Sequence, residues 1–129
     1  MAYNIPLRIK NLIKRTGSKD PFDIAIFLNI NIRLVDTPTH VNGFWKRILR
    51  RKFIFVNENL NEWQQKAVVA HEIGHILLHP KYRHFCLDNR TYFCSRRHED
   101  EADEFSKQLL KQACPDIETK FVNLFLKEG

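Results

Sequence analysis

The sequence predicts an α+β domain in which three short, mostly antiparallel strands pack with about five helices. Three observations carry that expectation. The chain has 129 residues, the size of one domain, so residues 1–129 are expected to form a single unit. Its helical and strand patterns occupy separate stretches in the order α-α-β-β-β-α-α-α, which favours segregated helices over an alternating parallel fold. Several of the helical stretches also carry capping or stop signals.

Residues 4–15 place Ile5, Leu7, Ile9, Leu12 and Ile13 among basic residues, an imperfect helical pattern that Gly17 closes. Asp20-Pro21 reads as an N-cap followed by proline at the first helical position, opening a short helix through Leu28. Strands are expected at 30–36, at 41–48 and from Lys52 to Val56, the last rich in β-branched and aromatic residues. A hairpin turn falls within Lys46–Lys52, although no Asn-Gly pair marks it. Asn61 and Gln64 form a capping-box pattern for a helix running from Glu62 to His79, which Pro80 stops. Residues 80–94 lack periodicity and are expected to form a loop. Ser95 can cap a helix over 96–113, and Asp116 a last one with Ile117, Phe121, Leu124 and Phe125 at helical spacing.

Composition narrows the function classes. With 43% hydrophobic and 12% aromatic residues, disordered, collagen-like and disulfide-scaffold classes are excluded. No uncharged stretch is long enough to span a bilayer. The start of the chain lacks a signal-peptide pattern, and an odd set of cysteines (Cys86, Cys94, Cys114) fits reduced thiols, so a cytoplasmic protein is expected. The net charge is +6 and unevenly placed. Residues 1–56 hold 11 Lys and Arg against 3 acids, whereas residues 57–129 hold 10 against 12. The basic excess therefore sits in the first half, concentrated in Lys46, Arg47, Arg50, Arg51 and Lys52 beside Phe44 and Trp45. Basic residues among aromatics can bind nucleic acid, but no nucleic-acid module accompanies them. The reading preferred is a docking surface for a protein, with neither nucleic acid nor membrane as a direct partner.

The chemistry-bearing pattern is His71-Glu72-Ile73-Gly74-His75, set inside a capped helix. Imidazoles at i and i+4 share one helical face about 6 Å apart along the axis, so one tetrahedral ion can bridge them. Glu72 lies about 100° round from His71, flanking the ion where a general base can take a proton from an activated water. A chain of this composition would show about 0.017 such matches by chance. His79 lies about 12 Å along the axis from His71, too far to join both histidines on one ion. It reads instead as a helix-end histidine serving carbonyls or the dipole.

A catalytic zinc needs a third ligand, and the acidic run Glu99 to Glu104 is its best source. With Glu99 set at 0°, the apolar residues Ala102, Phe105, Leu109 and Leu110 span roughly 240° to 20°. Glu99 and Asp103, at about 0° and 40°, lie at the inner edge of that face. Helical phase thus nominates Glu99 as ligand and Asp103 as the orienter of a ligating histidine. Asp100, Glu101 and Glu104 read as solvated. His84, Asp88 and His98 are weaker ligand candidates, and Cys86, Cys94 and His98 a weakly spaced structural site.

With these residues in view, the chain resembles the ImmA/IrrE family of metallo-endopeptidases, from about Gly43 to Leu110. The resemblance rests on Phe53-Ile54-Phe55-Val56-Asn57-Glu58-Asn59-Leu60, then on Ala70 through His79, and on Glu99-Asp100-Glu101-Ala102-Asp103-Glu104-Phe105-Ser106 with Leu109-Leu110. It implies a zincin-like helix at the core, with Zn2+ held by His71, His75 and Glu99 and with Glu72 as catalytic base. It also implies a protein substrate, often a helix-turn-helix, DNA-binding repressor of a phage or other mobile element. Ser106 and Lys111-Gln112 depart from the family pattern of Ala and Met-Pro. Tyr82, His84 and Tyr92 are candidates for oxyanion or substrate contacts, and Arg90 shares their loop. A free sheet edge in the 41–56 hairpin could hold an extended substrate. The alternative function is a non-proteolytic antirepressor or partner-binding module with a structural metal site.

Overall fold

The computed structural model describes residues 4–38, 41–79 and 96–113. Asn4 starts helix α1 (Ile5–Thr16) by accepting the Leu7 backbone N–H on its side chain at 3.2 Å. Ile5, Ile9 and Leu12, one turn apart, form its buried stripe. Gly17 ends it in the left-handed conformation at φ 80, its N–H donating to the Ile13 carbonyl. Asp20 then caps α2 (Pro21–Phe27), accepting the Phe22 N–H at 2.9 Å, with Pro21 in the first turn.

Strands β1 (Ile30–Val35), β2 (Gly43–Ile48) and β3 (Arg51–Asn57) form one sheet in the order β1-β3-β2. Ile54 of β3 faces Ile32 across a parallel pairing with β1 and Trp45 across an antiparallel pairing with β2. The α+β class is as expected, and the sheet is mixed, with one parallel and one antiparallel pairing. The physical reason lies in β3, whose Phe-Ile-Phe-Val run suits a central strand flanked on both sides. Strand β2, the next in sequence after β1, therefore lies at the opposite edge. The β2–β3 turn falls at Leu49-Arg50, both at positive φ (49 and 73). That is the sense of twist two-residue hairpins use, here built without Asn or Gly.

The capping box of α3 (Glu62–Leu78) is complete. Gln64 N–H donates to the Asn61 side chain at 2.8 Å, and Asn61 N–H donates to the Gln64 side chain at 3.1 Å. Ala67, Val68, Val69, Ala70, Ile73, Ile76 and Leu78 are all buried, so α3 is the central helix of the core. Helix α4 (Arg96–Ala113) lies against it through Ala102, Phe105, Ser106, Leu109 and Leu110. Gly74 makes that approach possible. A Cβ there would stand 3.1 Å from both Cβ and Cδ1 of Phe105. Gly43 serves a similar purpose where β2 meets α3, since its Cβ would lie 2.5 Å from Val68 Cγ1 and 2.7 Å from the Phe55 carbonyl oxygen.

Among the described residues there are four helices, none long and apolar enough to cross a membrane. The loop expected at 80–94, the Ser95 cap and the helix expected after Asp116 lie outside the described residues.

Candidate metal centre

Three residues that could hold a metal ion converge between α3 and α4. His71 and His75, one turn apart on α3, bring their Nε2 atoms to 3.1 Å. Glu99, in the first turn of α4, places Oε1 3.3 Å from His71 Nε2 and Oε2 3.0 Å from His75 Nε2. Two donors held about 2.0–2.1 Å from one tetrahedral ion stand about 3.3 Å apart, and the nitrogen–nitrogen distance and each nitrogen's distance to its nearer Glu99 oxygen all fall close to that spacing. The two histidine rings meet edge-on, with an interplanar angle of 75°. Their nitrogens therefore point inward, as ligands of one ion must. Two nitrogens and one carboxylate form a donor set suited to zinc and to other first-row divalent ions. The residues present thus fit a metal ion.

Asp103, one turn beyond Glu99, lies with Oδ1 2.8 Å from His71 Nδ1. It occupies the side of His71 away from the triangle, where a carboxylate fixes ring orientation and tautomer. The helical-phase expectation had set Glu99 and Asp103 together at the inner edge of α4, and that is where the structure brings them. Glu72 is buried beside the histidines, and its Oε1 has no hydrogen-bond partner among the described residues.

The electrostatics of the cluster follow from its burial. For His71, desolvation works towards a lower pKa, but hydrogen bonds to Asp103 and Glu99 and the charge of Glu72 outweigh it, raising the group to about 10. Glu72 moves up to about 8, chiefly because burial penalises its charge, with Glu99 and Asp103 adding repulsion and His71 opposing. Burial would raise Glu99 too, yet hydrogen bonds from His71 and His75 hold it well below the ordinary carboxylate range. A positive charge among these groups is therefore what the site accommodates best.

Two residues depart from their sequence reading. Glu101, expected to be solvated, has a side chain only 17% exposed, with Oε1 2.7 Å from His79 Nε2 and Oε2 3.5 Å from Arg97 Nε. It borders the buried stripe of α4 on the side opposite Glu99, and a glutamate stem is long enough to reach back from there. His79 does cap α3, its backbone N–H donating to the His75 carbonyl at 2.7 Å. Its side chain, however, is buried between His75 and Glu101 and lies against the His98 ring, the centroids 4.0 Å apart. His98 thus joins a second group with His79 and Glu101, apart from the His71–His75–Glu99 triangle. Burial and the neighbouring His79 lower its pKa. The recurrence of histidine at 71, 75 and 79 was the signal for this extension. Asp100 and Glu104 are exposed, paired with Arg96 and Gln108 respectively. Tyr82, His84, Cys86, Asp88, Arg90, Tyr92 and Cys94 lie outside the described residues.

Known proteins resemble the chain along most of its length. A peptidase family model described as the IrrE N-terminal-like domain matches residues 20–113, which include all of α3 and α4. The chain is 34% identical over 106 residues to uncharacterized immunity region protein 2 of Bacillus phage phi105, covering 82% of this chain and 67% of that protein. It is 28% identical over 111 residues to the metallopeptidase ImmA of Bacillus subtilis, covering 84% of this chain and 64% of that protein. The chain therefore spans about two thirds of the length of these two relatives. No solved structure matches it.

Proposed function

Because the chain belongs to the IrrE N-terminal-like peptidase family, we propose that it is a zinc-dependent endopeptidase using His71, His75 and Glu99 as ligands and Glu72 as general base. The observation that carries this reading is the ligand triangle set beside a buried carboxylate with an unsatisfied Oε1. An unsatisfied buried polar atom costs about 1–3 kcal/mol, so stability alone gives no reason to keep one at Glu72. A water and a substrate would supply its missing partners.

When bound, zinc would supply Lewis acidity to the scissile carbonyl and to the attacking water. Glu72 accepts a proton from that water as the oxygen bonds to the carbonyl carbon, and then donates it to the leaving amine nitrogen. His71 is held in one orientation by Asp103. Tyr82, His84 and Tyr92 are the proposed donors to the developing oxyanion. Strand β2 is an edge of the sheet, and an extended substrate segment can pair with it by strand addition.

The substrate proposed is an intracellular protein, specifically a DNA-binding repressor of a phage or mobile element. The likeness to a phage immunity region protein supports that choice, as does the likeness to a metallopeptidase. The exposed basic residues Lys46, Arg47, Arg50 and Arg51 at the β2–β3 turn provide a surface to hold it.

The test pairs the zinc-loaded chain with repressors encoded beside its own gene, comparing wild type with Glu72→Gln. Cleavage by the wild type alone is expected. Repressor inactivation that persists in Glu72→Gln without cleavage would overturn the peptidase reading in favour of a non-proteolytic antirepressor.

A further inference from the structure

The two ligand histidines have different surroundings on their outer sides. His71 meets a carboxylate directly, with Nδ1 2.8 Å from Asp103 Oδ1. His75 is completely buried, and its Nδ1 faces His79 Nδ1 at 3.4 Å. His79, itself 3% exposed, turns its other nitrogen to Glu101 Oε1 at 2.7 Å. Arg97 Nε approaches the second oxygen of Glu101 at 3.5 Å.

Hydrogen-bond chemistry allows one consistent assignment along this series. With His75 Nε2 offered to the ion, a neutral ring would carry its proton on Nδ1 and donate there. His79 accepts that bond on Nδ1 and therefore carries its own proton on Nε2. The Oε1 atom of Glu101, 2.7 Å away, accepts it. Every donor meets an acceptor, and the series ends on a carboxylate flanked by a guanidinium. We propose that His79 and Glu101 are positioning residues, forming a relay that holds His75 in the tautomer and orientation needed to bind the metal. The relay rests on the metal-site reading above and extends it to two residues outside the ligand set.

The same group could instead hold a second ion, since His79, His98 and Glu101 offer three donor atoms close together. Ring geometry argues against it. The centroids of His79 and His98 lie 4.0 Å apart with the ring planes tilted by 32°. The lone pairs of imidazole lie in the ring plane, so rings set this close at so small a tilt send them out nearly side by side. The edge-on pair His71 and His75, at 75°, shows the converging arrangement that a shared ion requires.

The relay is tested by zinc affinity and stoichiometry of the full chain, measured by competition with a chelator. His79→Phe keeps the ring volume and the contact with the His98 ring, while removing both nitrogens. Glu101→Leu removes the terminal acceptor. Each is expected to weaken zinc binding about 10–100-fold, the double variant no further than either, with one zinc per chain throughout. His79→Gln, which keeps an acceptor and a donor, is expected to recover most of the loss. Melting of the zinc-free variants reads out a merely structural role. Near-wild-type affinity in folded variants would overturn the relay, as would loss that tracks melting temperature without rescue by glutamine. A second zinc removed by His98→Phe would also overturn it, in favour of the second site. A wild-type chain that binds no zinc would remove the metal reading and the relay together, whereas wild-type binding shared by every variant would remove the relay alone.

Discussion

Replacing Gly74 with alanine tests whether the α3–α4 contact is what assembles the site. The new methyl would stand 3.1 Å from Cβ and Cδ1 of Phe105 and 3.2 Å from its Cγ. Carbon atoms rest about 3.5–4.0 Å apart, so the two helices must separate by roughly half an ångström. Phe105 is fully buried, which leaves its ring little room, and its Cβ moves only with the α4 backbone. Overpacking of this kind costs about 1–3 kcal/mol. Against it stands the gain of about 1 kcal/mol from replacing a mid-helix glycine with alanine. The steric term wins, and a net loss of about 1 kcal/mol is expected, or about 4 °C in melting temperature for a chain of this size. Glu99 and Asp103 ride on the same helix, so the ligand triangle opens with it and zinc affinity falls about tenfold, as for loss of an orienting contact. Thermal melts of the zinc-free protein and a chelator titration measure the two effects. A Gly74→Ala protein about 1 kcal/mol more stable than wild type, with unchanged zinc affinity, would refute the reasoning.

Other perturbations probe separate parts of the structure. Asp103→Ala should weaken zinc binding about 10–100-fold in a calorimetric titration, because His71 loses its outer carboxylate. Zinc at about one hundred times its dissociation constant should stabilise the wild type by about 2.7 kcal/mol, and an unchanged melting temperature would count against the site. Asn61→Ala removes the α3 cap and should lower stability by about 1 kcal/mol in urea denaturation. Exchanging Leu49-Arg50 for Asn-Gly should raise stability by about 1–2 kcal/mol, since asparagine and glycine tolerate the left-handed conformations that strain Leu49 and Arg50.

Local chemistry was the legible part of this sequence. Asp20, Asn61 and Gly17 announce helix ends because capping depends on a few adjacent atoms, and each sits at its expected terminus. The inward phase of Glu99 and Asp103 could be computed because the apolar stripe of α4 fixes which side is inside. Pairing order was not legible in the same way. Strand direction follows from adjacency only when neighbours in sequence are neighbours in space, and β1 lies beside β3 instead of β2. The turn at Leu49-Arg50 falls within the expected Lys46–Lys52 stretch, but its positive φ values are borne by residues that do not advertise them, so the stretch could not be narrowed further. Glu101 was misread because helical angle ignores side-chain length and neighbours in space. His79 fills the ground between the two helices, and only the packing of α4 on α3 reveals that a carboxylate is within reach.

The separation of the proposed ligands along the chain has a consequence for folding. His75 and Glu99 are joined by a segment of about two dozen residues, so a bound ion ties two distant points as a cross-link would. Closing a loop of that length in the unfolded chain costs about 3 kcal/mol of chain entropy by the argument used for disulfides. That cost grows slowly, by about 0.6 kcal/mol for each doubling of loop length. The stretch between the ligands can therefore lengthen or shorten at little thermodynamic expense to the knot that ties it. Under the proposed ligand set, that stretch can change in length while the residues at its two ends keep their places.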